Sequence, residues 1–368
     1  LLLGMNSGIQ PAFASSSAVI SSPTILTTAQ PYQMITVNVA DDTFSYPLKY
    51  SIDFGTTGLV AGDISYEERN SDTQFILYLS KKPAAGTIQL TMLAGGLVNQ
   101  NSSPSNTLSF TVAEPIKEGD FLFYNGDVVG YEGLSEAVVI PDTINGQTVT
   151  GIGQRAFDQK FIESVIMPST VTKIDDFAFQ ACSLTSIELP AGLQYLGRYA
   201  LNGNRIESIN LPAGITTISD GALANNSFRT LTIPSTVTRI GKEAFRYSHY
   251  LQDVTIPESV TYIGEEAFFN CANLKSIIIP ASVTSWGINA FSACTRLNAV
   301  YFLGDAPSPS VHVFNGSAVG IKFYVLQGKI GYEGSVYEVF DPNLEHNVTF
   351  HGNTGDGPVP GILGGKIT

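Results

Sequence analysis

Three cysteines, four histidines and one tryptophan are all that the 368-residue chain offers of those residue types. Three Cys cannot staple a scaffold, and Cys182, Cys271 and Cys294 fit no zinc spacing. Cationic charge is also scarce: 19 Lys and Arg against 32 Asp and Glu give a formal net charge of −13, with no basic run. A phosphate backbone needs a clustered basic face, so nucleic acid is not an expected partner. No apolar stretch reaches membrane-spanning length, so no membrane insertion is expected. His249, His312, His346 and His351 offer no helical metal pair, and there is no GxSxG elbow. His346 and His351 read as surface-loop residues, and GDGPVPGILGGK lacks the order of a phosphate loop and reads as linker. We therefore expect no catalytic residue, no resident metal and no cofactor, in a protein that is not an enzyme.

What is present is 43% hydrophobic residues with 14% charged, 35 Gly and 16 Tyr, a globular and β-leaning mixture. The start, LLLGMNSGIQPAFASSS, has an apolar run and then Ala12-Phe13-Ala14, a small-residue cleavage pattern. Residues 1–14 thus read as a signal-peptide remnant, and the protein as exported. Across 15–115, MITVNVAD, LKYSIDF, FILYLS, TIQLTML and LSFTVAE alternate apolar and polar between Gly, Pro and Asn turns, as the strands of a small β-sandwich do. GLVAGDISYE and GTIQLTMLAGGLVNQNSSPSNTLSFTV in that stretch resemble the bacterial Ig-like domains of surface proteins. The resemblance implies a spacer or presentation module. In 116–135, Asn125-Gly126 between two alternating runs suits a type I′ turn, hence a hairpin placed to cap the residues from 136 onward.

From 136 to 326 the chain repeats itself. MPSTVTKIDDFAF, LPAGLQYLGRYAL, LPAGITTISDGAL, IPSTVTRIGKEAF, IPESVTYIGEEAF and IPASVTSWGINAF place Pro at 168, 190, 212, 234, 257 and 280, steps of 22, 22, 22, 23 and 23. A stretched earlier copy begins at Pro141. That period fits a leucine-rich-repeat solenoid, each unit giving one strand of a curved parallel sheet. Counted from Pro, Val171 and Ile174 and their equivalents form apolar rows, and Ala178 and its equivalents form a third, each followed by Phe or Leu. A unit this small cannot bury its own apolar side, so stacked coils must share a core. Pro lacks an N–H and ends each ladder strand at a fixed place.

The pattern IxIPxxVTxIGxxAFxxCxxL resembles the BspA-like repeats of bacterial surface proteins, with Leu201 and Leu223 in place of Phe, and Asn204 and Asn226 in place of Cys. The resemblance implies a cell-surface or secreted protein engaged in adhesion to host matrix proteins or other cells. NVTFHGNTGDGPVPGILGGKIT, 347–368, resembles the opening of a Listeria–Bacteroides repeat, with 327–346 as cap or linker before it.

Cys271 and Cys294 belong to adjacent coils, within disulfide reach by sheet spacing, yet stacked side chains point the same way; free core thiols are favoured. Asp175-Asp176 and Glu265-Glu266 read as a solvated outer face in preference to a calcium site. The residue between the two apolar residues of each IxIP points outward, giving the row Ile166, Glu188, Asn210, Thr232, Thr255, Ile278 and Tyr301. Seven such strands would make a floor about 30 Å long. Two readings stand: a solubilising sheet face, or a concave docking surface on which Glu188, Asn210, Thr232, Thr255, Ile278 and Tyr301 meet a protein or glycan ligand. The protein is expected to be a monomer. A structural stalk, or the accessory region of a secreted hydrolase, is the alternative.

Overall fold

The computed structural model describes residues 20–21, 26–27, 33–39, 50–71, 74–81, 83–92, 107–308, 312–331 and 338–340. The signal-peptide reading of 1–14, the module reading of 347–368, and His346 and His351 lie outside the described residues. Chain contacts divide the protein into Leu1–Pro115 and Ile116–Thr368.

The first unit holds two four-stranded sheets. One orders Ile20–Ser21, Met34–Val39, Gln74–Leu79 and Ile64–Ser71; the other orders Leu26–Thr27, Thr107–Ala113, Gly86–Met92 and Tyr50–Asp53. Every pairing is antiparallel except Leu26–Thr27 beside Thr107–Ala113. Alternate residues of facing strands, Ile35 and Val37, Phe75 and Leu77, Ile88 and Leu90, enter one buried cluster, as a pleat of period two requires. The stacked rings of Tyr50 and Phe75, 5.9 Å apart, join the two sheets.

In the second unit a single core runs from Phe123 to Val325. The apolar repeat rows lie in it: Val171, Ile174, Ala178, Phe179 and Leu184 have no more than trace exposure, and so do their equivalents up to Leu297, Trp286 excepted. The half-exposed Trp286 is too wide for the interior row and packs edge-on against Phe302 and Phe314. Ring stacking continues from coil to coil through Tyr131, Phe157 and Phe179 (5.3 and 4.8 Å), and again through Phe245, Phe268 and Phe291 (5.0 Å each).

The hairpin of Phe121–Tyr124 and Asp127–Tyr131 turns at Asn125 and Gly126, both at positive φ. Its second strand pairs in parallel with Gly151–Ile152 of the first coil. Parallel pairs of Lys173–Ile174 and Tyr195–Leu196 extend that ladder, and Thr217–Ile218, Arg239–Ile240, Tyr262–Ile263 and Ser285–Trp286 form a second run. Here glycine sets the stacking distance. A Cβ on Gly264 would lie 2.4 Å from the carbonyl carbon of Gly241 in the coil before, so no other residue fits.

Two corners of every coil carry a left-handed residue, and most are not glycine. Phe177, Tyr199, Glu243 and Glu266 stand at φ of 60, 52, 56 and 53°. A side chain there is strained, but each corner N–H is tied to the next coil: Phe177 N donates to Arg198 O at 2.8 Å and, at the second corner, Ala181 N to Asn202 O at 2.8 Å. Bonds between coils, not residue preference, impose the conformation.

The expected uninterrupted seven-strand floor is corrected. Regular pairs exist between Ala137–Val139 and Ser164–Ile166, between Thr230–Thr232 and Asp253–Thr255, and through Ser276–Ile279, Ala299–Phe302, Lys322–Leu326 and Glu338–Phe340. Residues 186–188 and 208–210 form no strand. Those two coils are the ones in which Gly192 and Gly214 stand two residues after Pro. Elsewhere a hydroxyl occupies that place and clamps the preceding coil: Thr170 Oγ1 on Val149 O at 2.6 Å, Thr236 Oγ1 on Ile215 O at 2.9 Å, Ser282 Oγ on Val260 O at 2.7 Å. Glu207 N reaches Thr185 O at 3.4 Å, as Lys275 N reaches Gln252 O in a clamped coil.

Candidate functional site

The outward row of the repeat sheet begins one coil earlier than the sequence suggested. Val139 lies beside Ile166 in register, and both side chains are largely exposed, at 62% and 65%. Glu188 and Asn210 follow, exposed, on the two coils that lack regular strands. Thr232 and Thr255 are paired neighbours, both exposed. Ile278 is exposed beside Tyr301.

Tyr301 departs from the expectation. It keeps the outward register, yet only 8% of it is exposed, because Tyr324 of the next strand stacks on it at 4.7 Å and 10°. Together with Ala299 these rings form a small cluster separate from the main core. Burial, and the neighbouring Tyr324 and Glu338, raise the Tyr301 hydroxyl pKa to about 12, so it stays a neutral donor. The structure thus groups Val139 with Ile166, Thr232 with Thr255, and Ile278 with Tyr301 and Tyr324. Val139 and Tyr324 were missed, although VVIP at 138–141 and the alternating KFYVL of 322–326 carry the same period.

Behind this face, the coils from Cys182 onward each contribute one polar side chain three residues after Ala-Phe or Ala-Leu. Cys182, Cys271 and Cys294 are free and buried, and their Sγ atoms donate to Phe157 O, Phe245 O and Phe268 O at 2.9, 3.4 and 3.2 Å. Burial pushes the Cys182 and Cys294 thiols up to about 12, which suppresses the thiolate that nucleophilic or metal chemistry would need. Asn204 and Asn226 hold the same place, with Nδ2 donating to Phe179 O at 2.8 Å and Leu201 O at 2.9 Å. Ser317 continues the series onto Phe291 O at 2.7 Å.

Asp176 of the first acidic pair, and Asp220 at the same place in a later coil, do more than solvate an outer face, whereas Glu265 lies half-exposed beside Lys242. Asp176 Oδ1 accepts from Arg198 N at 2.6 Å and from the Tyr195 hydroxyl at 3.1 Å, and Asp220 Oδ1 accepts from Lys242 N at 2.7 Å. Each carboxylate satisfies an N–H of the following coil, a structural duty that keeps it half-buried. Asp127 of the hairpin, almost fully covered, pairs with Lys173 Nζ at 2.6 Å. Of the histidines, exposed His249 has Nδ1 3.0 Å from Asn270 O, and His312 is exposed.

Stacked coils with a buried thiol-or-amide rung and a free outward face match a known pattern: residues 150–230 and 216–331 fit the family described as BspA type Leucine rich repeat region, in six copies. The repeat core is of the BspA type. Among solved structures, a leucine-rich repeat protein from Bacteroides ovatus is 26% identical, with 58% of this chain and 71% of that one covered and a TM-score of 0.45. The leucine rich repeat protein TpLRR of T. pallidum is 27% identical over 46% and 82% of the two chains, at a TM-score of 0.39. A leucine rich cell surface protein from Faecalibacterium prausnitzii is 25% identical over 45% and 53%, at 0.33. No curated protein matches the chain. Outside the BspA-type core, the family match leaves 1–149 and 332–368 uncovered.

Proposed function

We propose that the protein is a non-enzymatic, exported binding protein of a bacterial cell surface, which presents the outward face of its BspA-type sheet to a protein or glycan on host matrix or on other cells. One observation carries this reading: the apolar rows and the Ala that recur from coil to coil are buried, whereas the exposed row between them varies, from Ile166 through Glu188, Asn210 and the Thr232–Thr255 pair to Ile278. A sheet face needed only for solubility would not expose Val139, Ile166 and Ile278. The buried thiols, held in the neutral form, support the non-enzymatic part. The two-sheet first unit serves as an Ig-like spacer, and the resemblance of the repeats to surface proteins supports export.

The test is binding of the full chain to immobilised matrix proteins and to intact bacterial cells. Substituting Glu188, Asn210, Thr232 and Thr255 together by Ala should abolish it while the circular dichroism spectrum is kept. Undiminished binding would sink the assignment of the face and favour a stalk.

A further inference from the structure

The outward face is not uniform. At its first two rungs Val139 and Ile166 sit side by side, and the segments leading into those strands expose Leu134 and Phe161 at 98% and 83%. Large apolar side chains left in water cost free energy unless something covers them. The rim beside this patch is anionic. Glu163 N donates to Glu136 O, Thr185 N to Glu163 O and Glu207 N to Thr185 O, so Glu136, Glu163 and Glu207 occupy three of four consecutive rungs, and Glu188 stands next to Ile166 on the face. All four carboxylates are exposed, and among the described residues none has an ion pair or a side-chain hydrogen bond. Beyond Glu207 the rim changes sign: Arg229, Gln252, Lys275, Asn298 and Lys322 follow on successive rungs.

Resting on the reading of this face as a binding surface, we propose that its first coils are a docking site for a polypeptide segment that carries cationic residues beside aliphatic or aromatic ones. The apolar pair supplies the desolvated centre of the contact and the carboxylates supply the polar rim, the usual division within an interface. Unpaired rim charges act chiefly on encounter and register. The net charge of −13 adds long-range attraction for a cationic partner. An anionic bilayer, the other surface that accepts apolar side chains, is repelled by the same rim. The change of sign at Arg229 also fixes polarity, with the basic part of the segment lying over the first coils.

The test is fluorescence anisotropy of a short labelled peptide of alternating Lys and Leu with the full chain, beside Glu–Leu and Lys–Ser peptides of the same length. The Lys–Leu peptide should bind well above both others. Val139→Ser with Ile166→Ser should weaken it at least about tenfold. Glu136→Gln, Glu163→Gln and Glu188→Gln combined should weaken it and flatten its salt dependence. The control removes the same number of exposed carboxylates elsewhere, as Asp142→Asn, Glu258→Gln and Asp305→Asn, and should change affinity little. Equal loss from both carboxylate triples, tight binding of the Lys–Ser or Glu–Leu peptide, binding to anionic vesicles, or self-association abolished by the Val139/Ile166 pair would each overturn the proposal. If a natural ligand is lost on changing Thr232 and Thr255 but not Val139 and Ile166, the face remains a binding surface and this assignment of its first coils falls alone.

Discussion

Two stretches of the solenoid solve the same corner differently. In the later, longer coils five residues lie between the interior Phe and the next interior Leu: Phe245 to Leu251, Phe268 to Leu274, Phe291 to Leu297. That leaves room for the Leu N–H to find a carbonyl in its own turn: Leu251 N on Ser248 O at 3.1 Å, Leu274 N on Cys271 O at 3.0 Å, Leu297 N on Cys294 O at 2.9 Å. In the earlier, shorter coils one residue is missing and that bond is replaced. Leu184 N instead donates to Asn204 Oδ1 of the following coil at 2.9 Å, and Ile206 N to Asn226 Oδ1 at 3.2 Å. A buried N–H must be partnered. The amide of the next coil therefore compensates for the deleted residue, while its Nδ2 still performs the duty of the thiol. At 179–184 and 201–206 the short turn thus goes with Asn in the next coil, whereas the equally short turn from Phe157 to Ile162 is followed by Cys182, and Ile162 N donates to Cys182 O at 2.7 Å instead.

The largest expected effect tests that rule directly. Asn204→Ala removes acceptors from Cys182 N and Leu184 N and a donor from Phe179 O and Leu201 O, all buried. Unsatisfied buried groups cost about 1–3 kcal/mol each, so a loss of roughly 3–5 kcal/mol is expected. Cys271→Ala, in a longer coil, loses one weak thiol bond and a small volume, a cost of about 1 kcal/mol. Urea midpoints of the two variants decide; similar losses would break the comparison.

A gain should come from the last of the short coils. Leu223 to Phe228 is also one residue short, but the next coil offers Ser248, not Asn. Its Oγ is buried without a partner among the described residues. Ser248→Asn should supply both the donor and the acceptor seen at Asn204 and Asn226, raising stability by about 1 kcal/mol in the same urea assay. No gain, or a loss, would mean that the site cannot accept the larger side chain and that the rule stops at Asn226.

The period, the interior rows and the outward register were legible because each repeats one residue type at one spacing, and stacking converts such identity into a ladder. Asn204 and Asn226 looked like harmless departures from Cys, since their role depends on a residue absent from the coil before. The interruption of the sheet at 186–188 and 208–210 left no mark in the interior rows, which run through both coils; only Gly192 and Gly214, where the other coils carry a hydroxyl, set these coils apart. The left-handed corners at Phe177, Tyr199 and Glu243 left no glycine signature because bonds between coils impose them. Of the candidate face, Tyr301 misled because its cover, Tyr324, lies beyond the last full repeat.

The smallest effect concerns charge in the earlier coils. Burial raises Asp175 to about 6, with Asp127 and Asp176 adding to the shift and Lys173, 3.5 Å away, opposing it. A folded pKa above the unfolded one means that the native state binds the proton more tightly. The Asp175 contribution is therefore a penalty, fully present above about pH 6 and relieved as pH falls toward about 4, where both states are protonated. The urea midpoint should consequently improve in that window. Asp175→Asn should be more stable than the parent near neutral pH and less responsive to acid. Because the side chain remains about a third exposed, the gain should be under about 1 kcal/mol. Lys173 keeps Asp127 as its closer partner at 2.6 Å, so losing the longer contact should not cancel the gain. A variant tracking the parent at every pH would show that Asp175 is solvated after all, and that the earlier coils differ from the later ones only in their amide rungs.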